Sequence, residues 1–348
     1  MTDHLLNLLR GDGPLPGPGE PEWNRCAADL VKEGLSGVAL TLLSRTKRLE
    51  QLPPSATGLL TADLNKVRVG QAVLFHRFAA LAELLRGAGV VFIVHKGGAL
   101  APLVYERLED RPMVDIDIVI RPRTWQQVRE ILVTGGYRLP QGAEEGFWLE
   151  NYFNLSISSK EDPPAHFDLH WGLTQEGRYH IETEELFARA VPYDLGALHL
   201  LRLSDEDLLL SLFLHLAYHY FDAHLIWLYD MKRVIELWPI DWDLLFERAG
   251  RFGLQTVVAF NIAFLEKVFP QTVPRPVARR ARLGPVRRGL AAPLFSASPR
   301  HLFRGEERRL NQFALGLLAI DRPFDAVRFA TDKVGRSLKW AGRRPRRR

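Results

Sequence analysis

HKGGALAPLVYERLEDRPMVDIDIVI, residues 95–120, decides how this chain is read. A β-rich run, VVFIV at 90–94, leads into it, Gly97-Gly98 interrupts, and the residues after the glycines restart a helical period. The segment closes on VDIDIVI at 114–120, a second strand. In a strand, side chains two residues apart share one face, about 6.6 Å along the chain. Asp115 and Asp117 therefore stand side by side, while Ile116, Ile118 and Ile120 turn the other way, into a core. Adjacent carboxylates repel one another, and a hard cation relieves that repulsion; carboxylate oxygens, water and phosphate oxygens are what Mg²⁺ prefers. An Asp-x-Asp pair is equally the polar side of a half-exposed strand, so the surrounding pattern must decide.

Working outward, Thr124 to Thr134 reads as an amphipathic helix stopped by Gly135-Gly136. Further strands are predicted at 137–140, 151–158 and 166–171, and the last of these, HFDLHW, carries Asp168 as a third candidate ligand. Residues 90–171 thus form one mixed sheet. Upstream, apolar residues recur at helical spacing from about Ala62 to Arg86, behind short helices that flank a Pro/Gly-rich break at 11–21. Downstream, Ser204 with Asp207 is a capping-box pattern, and helices are predicted from there and around 225–238, 241–251, 253–269 and 307–319. The fold class is α+β: a small mixed β-sheet core (89–200) between an N-terminal helical module (1–88) and a C-terminal helical region (201–335), followed by a basic tail (336–348).

Composition narrows the setting. Hydrophobic residues make up 47% and charged residues 25% of the 348, enough for a full core. One cysteine, Cys26, excludes an internal disulfide framework and fits a reducing, cytoplasmic location. The most apolar long stretch, Leu208 to Tyr229, holds His215, His219, Asp222 and His224, which points to a buried helix pair and no membrane span. Residues 271–348 contain 20 of the 46 Lys and Arg but only 5 of the 41 Asp and Glu, a net +15 against −10 for the rest. The terminal RRPRRR is either a solvated tail or an arm for RNA, an acidic partner or a membrane surface.

Lys96-Gly97-Gly98 sits where a strand meets a helix. Glycine there permits close backbone approach to a phosphate, and the open N–H groups of a helix start favour an anion. Lys96 and Arg111 are candidates to pair with phosphates.

With these residues in view, the chain resembles nucleotidyltransferases of the DNA polymerase β-like superfamily. The matching residues are Lys96, Gly97, Tyr105, Arg111, Asp115, Asp117, Asp168, His170 and Trp171, with His215 and Asp230 in the helices that follow. One departure is that sixteen residues separate Gly98 from Asp115, a longer run than is usual there, and no serine follows Gly97. The resemblance implies a Mg²⁺- or Mn²⁺-dependent enzyme that binds an NTP such as ATP and moves its nucleoside monophosphate to an acceptor, releasing pyrophosphate. Asp115, Asp117 and Asp168 would hold the metals; Lys96, Gly97 and Gly98 would hold the phosphates. Arg111 would either neutralise developing charge or brace the aspartates by a salt bridge, and His170 would either orient a carboxylate or bond beneath the sheet. The acceptor is open among RNA, a peptide and a small molecule. Two alternatives stand beside this: transfer of a phosphoryl or other activated group, and a non-catalytic nucleotide- or RNA-binding protein of the same fold.

Trp171 and Tyr105 either stack on a base or pack, with packing preferred. His215 and His219 are spaced i, i+4, as in a transition-metal site, but no Glu follows His215, and hydrogen-bonding roles are preferred.

Overall fold

A computed structural model of the chain describes residues 3–296 and 316–332, except 12, 18–20, 176 and 220–223. Asp222, most of the predicted helix at 307–319 and the basic tail lie outside the described residues.

Four helices come first: α1 (Asp3–Arg10), α2 (Glu22–Lys32), α3 (Ser36–Arg45) and α4 (Pro54–Gly87). The last starts earlier than the periodicity suggests, because Pro54 has the fixed φ and missing N–H that suit a first helical position. Its buried Leu60, Leu64, Gln71, Leu74, Phe78, Leu81 and Leu85 form one stripe toward the core. The sheet region follows as β1 (Phe92–His95), α5 (Lys96–Val104), β2 (Asp115–Ile120), α6 (Trp125–Thr134), β3 (Tyr137–Arg138), α7 (Ala143–Asn151), β4 (Asn154–Ser159) and β5 (His166–His170), then α8 (Thr183–Arg189), β6 (Val191–Leu195) and β7 (Leu198–Arg202). Helices α9 (Asp205–Tyr218), α10 (Leu225–Leu237), α11 (Trp242–Phe252), α12 (Gln255–Val268), α13 (Arg275–Arg280) and α14 (Pro285–Ser296) complete the order. Ser204 caps α9 as its pattern predicts, its Oγ accepting from the Asp207 N–H.

The α+β architecture expected from the sequence is the one observed: a seven-stranded mixed sheet ordered β3-β4-β5-β2-β1-β7-β6, set among helices. Strands β2 and β5 run parallel, as do β1 and β7, and the other neighbours are antiparallel. Two details differ from the sequence reading. The sheet does not end at 171, because the hairpin β6–β7 turns at Gly196 (φ 59°) and adds β7 alongside β1. Residue 151 closes a helix, α7, and strand β4 starts only at Asn154; Gly146 within AEEGFWLEN masks that helix in the sequence.

The sheet separates two chemistries by its pleat. Ile116, Ile118, Phe167 and Leu169 are fully buried on one face, each contributing roughly 1.5–3 kcal/mol of burial. Helices α4 and α5 contribute to its cover, with Phe78 of α4 6.4 Å from Phe167. The opposite face carries His95, Asp115, Asp117, Asp168 and His170, since pairing places Asp117 between His95 and Asp168. A slip of one residue would exchange the faces, so the isoleucines that fill the core also fix where the acids point. A single cluster of buried apolar side chains runs from Leu5 to Phe329. Among the described residues no helix is long and apolar enough to cross a membrane.

Candidate active site

Strand register builds the centre. Asp117 faces Asp168 across the parallel β2–β5 pair, and His170 lies two residues farther on the same face of β5. Ligand atoms of Asp117, Asp168 and His170 all lie within 4.8 Å of one another, a spacing that can hold a metal ion. Asp115 shares that face and lines the same cleft but stands outside this trio, opposite His166.

The charges are unevenly compensated. Burial works against ionisation of Asp117, yet Lys96 Nζ donates to its Oδ1 at 2.6 Å and His170 Nε2 contacts the same oxygen at 2.8 Å. Together they hold this carboxyl well below the usual carboxylate range. Asp115 goes the other way. Burial first, then repulsion from Asp117 and Asp168, pushes it up to about 6, against the weaker pull of Lys96 and Arg111. Asp168 accepts from Ser156 Oγ and, at 3.2 Å, from Asn154 Nδ2, both on β4. Three carboxylates thus share one contacting ammonium, and hard oxygen donors with surplus negative charge are what a divalent cation such as Mg²⁺ binds.

His170 Nε2 contacts Asp117 Oδ1, an arrangement able to orient that carboxylate. Its Nδ1, like that of His95, is buried with no hydrogen-bond partner among the described residues, and the two rings meet edge to face at 5.9 Å. His95 is held neutral: burial, then Lys96, lowers its pKa well below the usual imidazole value. Sequence inspection did not single out His95. Only the antiparallel pairing of β1 with β2 sets it against Asp117.

The glycine turn has a packing role beside any phosphate role. A Cβ on Gly98 would lie 2.8 Å from Ile116 Cγ2 and 3.0 Å from Val94 Cγ1, so α5 can sit down on the strands only with glycine here. At Gly97 it would meet Met113 Sδ at 2.4 Å and Arg111 Nη1 at 2.9 Å. Lys96 adopts φ 45°, a left-handed conformation that costs about 1–2 kcal/mol for an L-residue. Lys96 and Gly97 line the cleft; Gly98 is packed beneath.

The long run before Asp115 is explained by helix α5 and a short 3₁₀ turn at Leu108–Asp110. That turn is tied to the N-terminal helices: Thr41 Oγ1 and Arg107 bond Asp110, and Gln71 Nε2 donates to the carbonyls of Leu108 and Arg111. The Arg111 guanidinium forks onto Asp230 of α10, at 2.7 Å from Nη2 and 3.2 Å from Nε, so its salt bridge is not with the β2 aspartates. Tyr105 Oη donates to Asp230 at 2.5 Å, and burial, with Asp230, raises that phenol well above its ordinary pKa. Trp171 packs on Trp125 at 6.0 Å. Neither Tyr105 nor Trp171 is among the residues that line the cleft around the aspartates.

All this opens on a cleft of about 790 Å³. Lys32, Asp63 and Lys66 of α2 and α4 form one side, and His215, His219 and Trp227 of α9, its C-terminal end and α10 form the other. The two histidines are packed ring against ring, and Asp117, Asp168 and His170 are the one metal-capable group among the described residues. None of the N-terminal side is signalled by a motif, because its helices reach the site through folding alone.

No curated protein matches the chain. The model of a family described as "uncharacterised nucleotidyltransferase" matches residues 19–270, which takes in the helices on both sides of the cleft as well as the sheet between them. With most of its length matched and paired carboxylates at the centre of that span, this chain belongs to the uncharacterised nucleotidyltransferase family.

Proposed function

We propose that the protein transfers a nucleoside monophosphate from an NTP to an acceptor, releasing pyrophosphate, with Mg²⁺ held by Asp115, Asp117 and Asp168. The observation that carries this is the excess of carboxylate over cation on one sheet face: Asp117 meets Lys96 at 2.6 Å while Asp115 is forced up to about 6. When bound, divalent cations screen the phosphate oxygens during in-line displacement. The chain's own groups do the rest. His170 and Lys96 hold Asp117 Oδ1, and Oδ2 makes no hydrogen bond among the described residues, which leaves it for ligation. Asp168, oriented by Ser156 and Asn154 and part-exposed to the cleft, accepts the proton of the attacking hydroxyl. With a cation beside Asp117, Lys96 would be available to pair with a phosphate oxygen. Arg111 is committed to Asp230 and contributes shape more than charge.

The test incubates full-length protein with Mg²⁺, each α-labelled NTP and candidate RNA, peptide and small-molecule acceptors. Label transfer with pyrophosphate release is expected, and its loss in the Asp115→Ala, Asp117→Ala double variant. Transfer of a γ-label to the acceptor with NDP as the other product would replace nucleotidyl by phosphoryl transfer, and tight nucleotide binding without any transfer would refute catalysis.

A further inference from the structure

The cleft has a second pole. Beyond the carboxylates, aromatic and imidazole rings form an unbroken ladder. It starts at His170, which touches Asp117, and passes to Phe153 at 5.7 Å, to Tyr218 at 5.5 Å, to His219 at 5.4 Å and to Trp227 at 4.9 Å between centroids. His215 meets Trp227 edge-on at 4.5 Å, and His224 lies 4.9 Å from the same indole. These rings line the cleft that holds Asp115, Asp117, Asp168 and Lys96. Trp227 is only half-buried, so part of its surface remains on the cleft.

Such a wall is chemically unlike the carboxylate pole. Burial, and next the charge of Lys96, lowers the His215 pKa well below its usual value, so its imidazole is neutral at physiological pH. The neutral His215 ring and the Trp227 indole offer flat π-surface and no positive charge to repay the desolvation of a phosphate. The i, i+4 pair His215 and His219, which suggests a transition-metal site in the sequence, stands outside the metal-capable group among the described residues and packs ring against ring with Trp227, a wall that suits a planar heterocycle. A nucleoside triphosphate has that same polarity, with charge and metal affinity at one end and a flat aromatic at the other.

We infer that Trp227, with His215 and His219, is the nucleobase subsite of this enzyme, stacking the base of the NTP whose phosphates lie at Asp117 and Lys96. This rests on the proposed triphosphate site, and it adds a residue set outside the metal-capable group. The i, i+4 spacing is the only part of it visible in sequence; Trp227 joins because α10 packs beside α9.

Binding to full-length protein is measured by calorimetry in Mg²⁺ for an NTP and for inorganic tripolyphosphate, on wild type, Trp227→Ala and Trp227→Phe. Base stacking on an aromatic side chain is worth about 1–3 kcal/mol, so wild type is expected to bind NTP roughly 5- to 150-fold tighter than tripolyphosphate. Trp227→Ala removes most of that margin while tripolyphosphate affinity stays constant, and Trp227→Phe restores most of it. Equal binding of NTP and tripolyphosphate by wild type overturns the base subsite and leaves the triphosphate site standing, a comparison that needs no variant to fold. Unchanged NTP affinity in a folded Trp227→Ala protein also overturns it. Failure of wild type to bind either ligand overturns both the subsite and the site on which it rests.

Discussion

A buried aspartate, Asp230, and a cluster of three, Asp115, Asp117 and Asp168, lie on either side of the Lys96-Gly97 turn, and they are built on opposite terms. Asp230 is wholly buried and fully matched: a forked guanidinium from Arg111 and a hydroxyl from Tyr105 satisfy it. Asp115, Asp117 and Asp168 are crowded together against one contacting ammonium, and one of them responds by holding its proton up to about pH 6. A compensated acid is a structural tie, here joining α10 to the loop before β2. An undercompensated set is a site awaiting positive charge. Burial alone does not separate the two, since Asp117 is also buried, at 7% exposure; the number of carboxylates sharing each cation does.

The widest separation comes from breaking each in turn. Asp230→Ala leaves the Arg111 guanidinium buried without its partner and should destabilise the fold by about 3–5 kcal/mol, read as a shift in the denaturant midpoint. Its Mg²⁺ affinity, measured below the new midpoint, should stay within a few-fold of wild type. Asp117→Ala should do the reverse, with nucleotidyl transfer falling roughly 10²- to 10³-fold, as when a group facing transition-state charge is deleted, and a smaller shift in the denaturant midpoint than in Asp230→Ala, since its depressed carboxyl still stabilises the fold at neutral pH while its removal relieves Asp115 of repulsion. A large stability loss in Asp117→Ala would show that this acid, too, is a structural tie. His170→Ala probes the link between centre and ladder, and an orienting partner of this kind contributes about 10- to 100-fold in metal affinity or activity.

The smallest effect is in pH. Asp115 is protonated below about 6, and a cation must displace that proton, so metal affinity should rise with pH through this region and fall up to about tenfold per unit below it. Calorimetric titration with Mn²⁺ in buffers of different ionisation enthalpy would register the released proton. In Asp115→Asn the release and the pH dependence should both vanish.

How much of this was legible beforehand follows from the range of each signal. The Asp-x-Asp strand, the Lys-Gly turn and the Asp168 strand are local patterns, readable because strand periodicity is two and because glycines punctuate. The β6–β7 hairpin does not stand out, because Pro192 argues against VPYDL as a strand and LHLLR breaks the alternation at Leu200-Leu201. Arg111 shows the same limit within the site. Four residues before Asp115, it invites a bridge to the aspartates, whereas its partner Asp230 lies more than a hundred positions away on α10.

The sequence by itself determined the carboxylate face: isoleucines alternating with aspartates on β2 leave one register in which the core is dry, and that register turns Asp115 and Asp117 toward the cleft. The tertiary structure alone decided which acids remain short of positive charge, which histidines flank them and where the aromatic wall stands. Charge compensation and ring packing depend on distances of a few ångströms between residues far apart in the chain, and no local pattern encodes such distances.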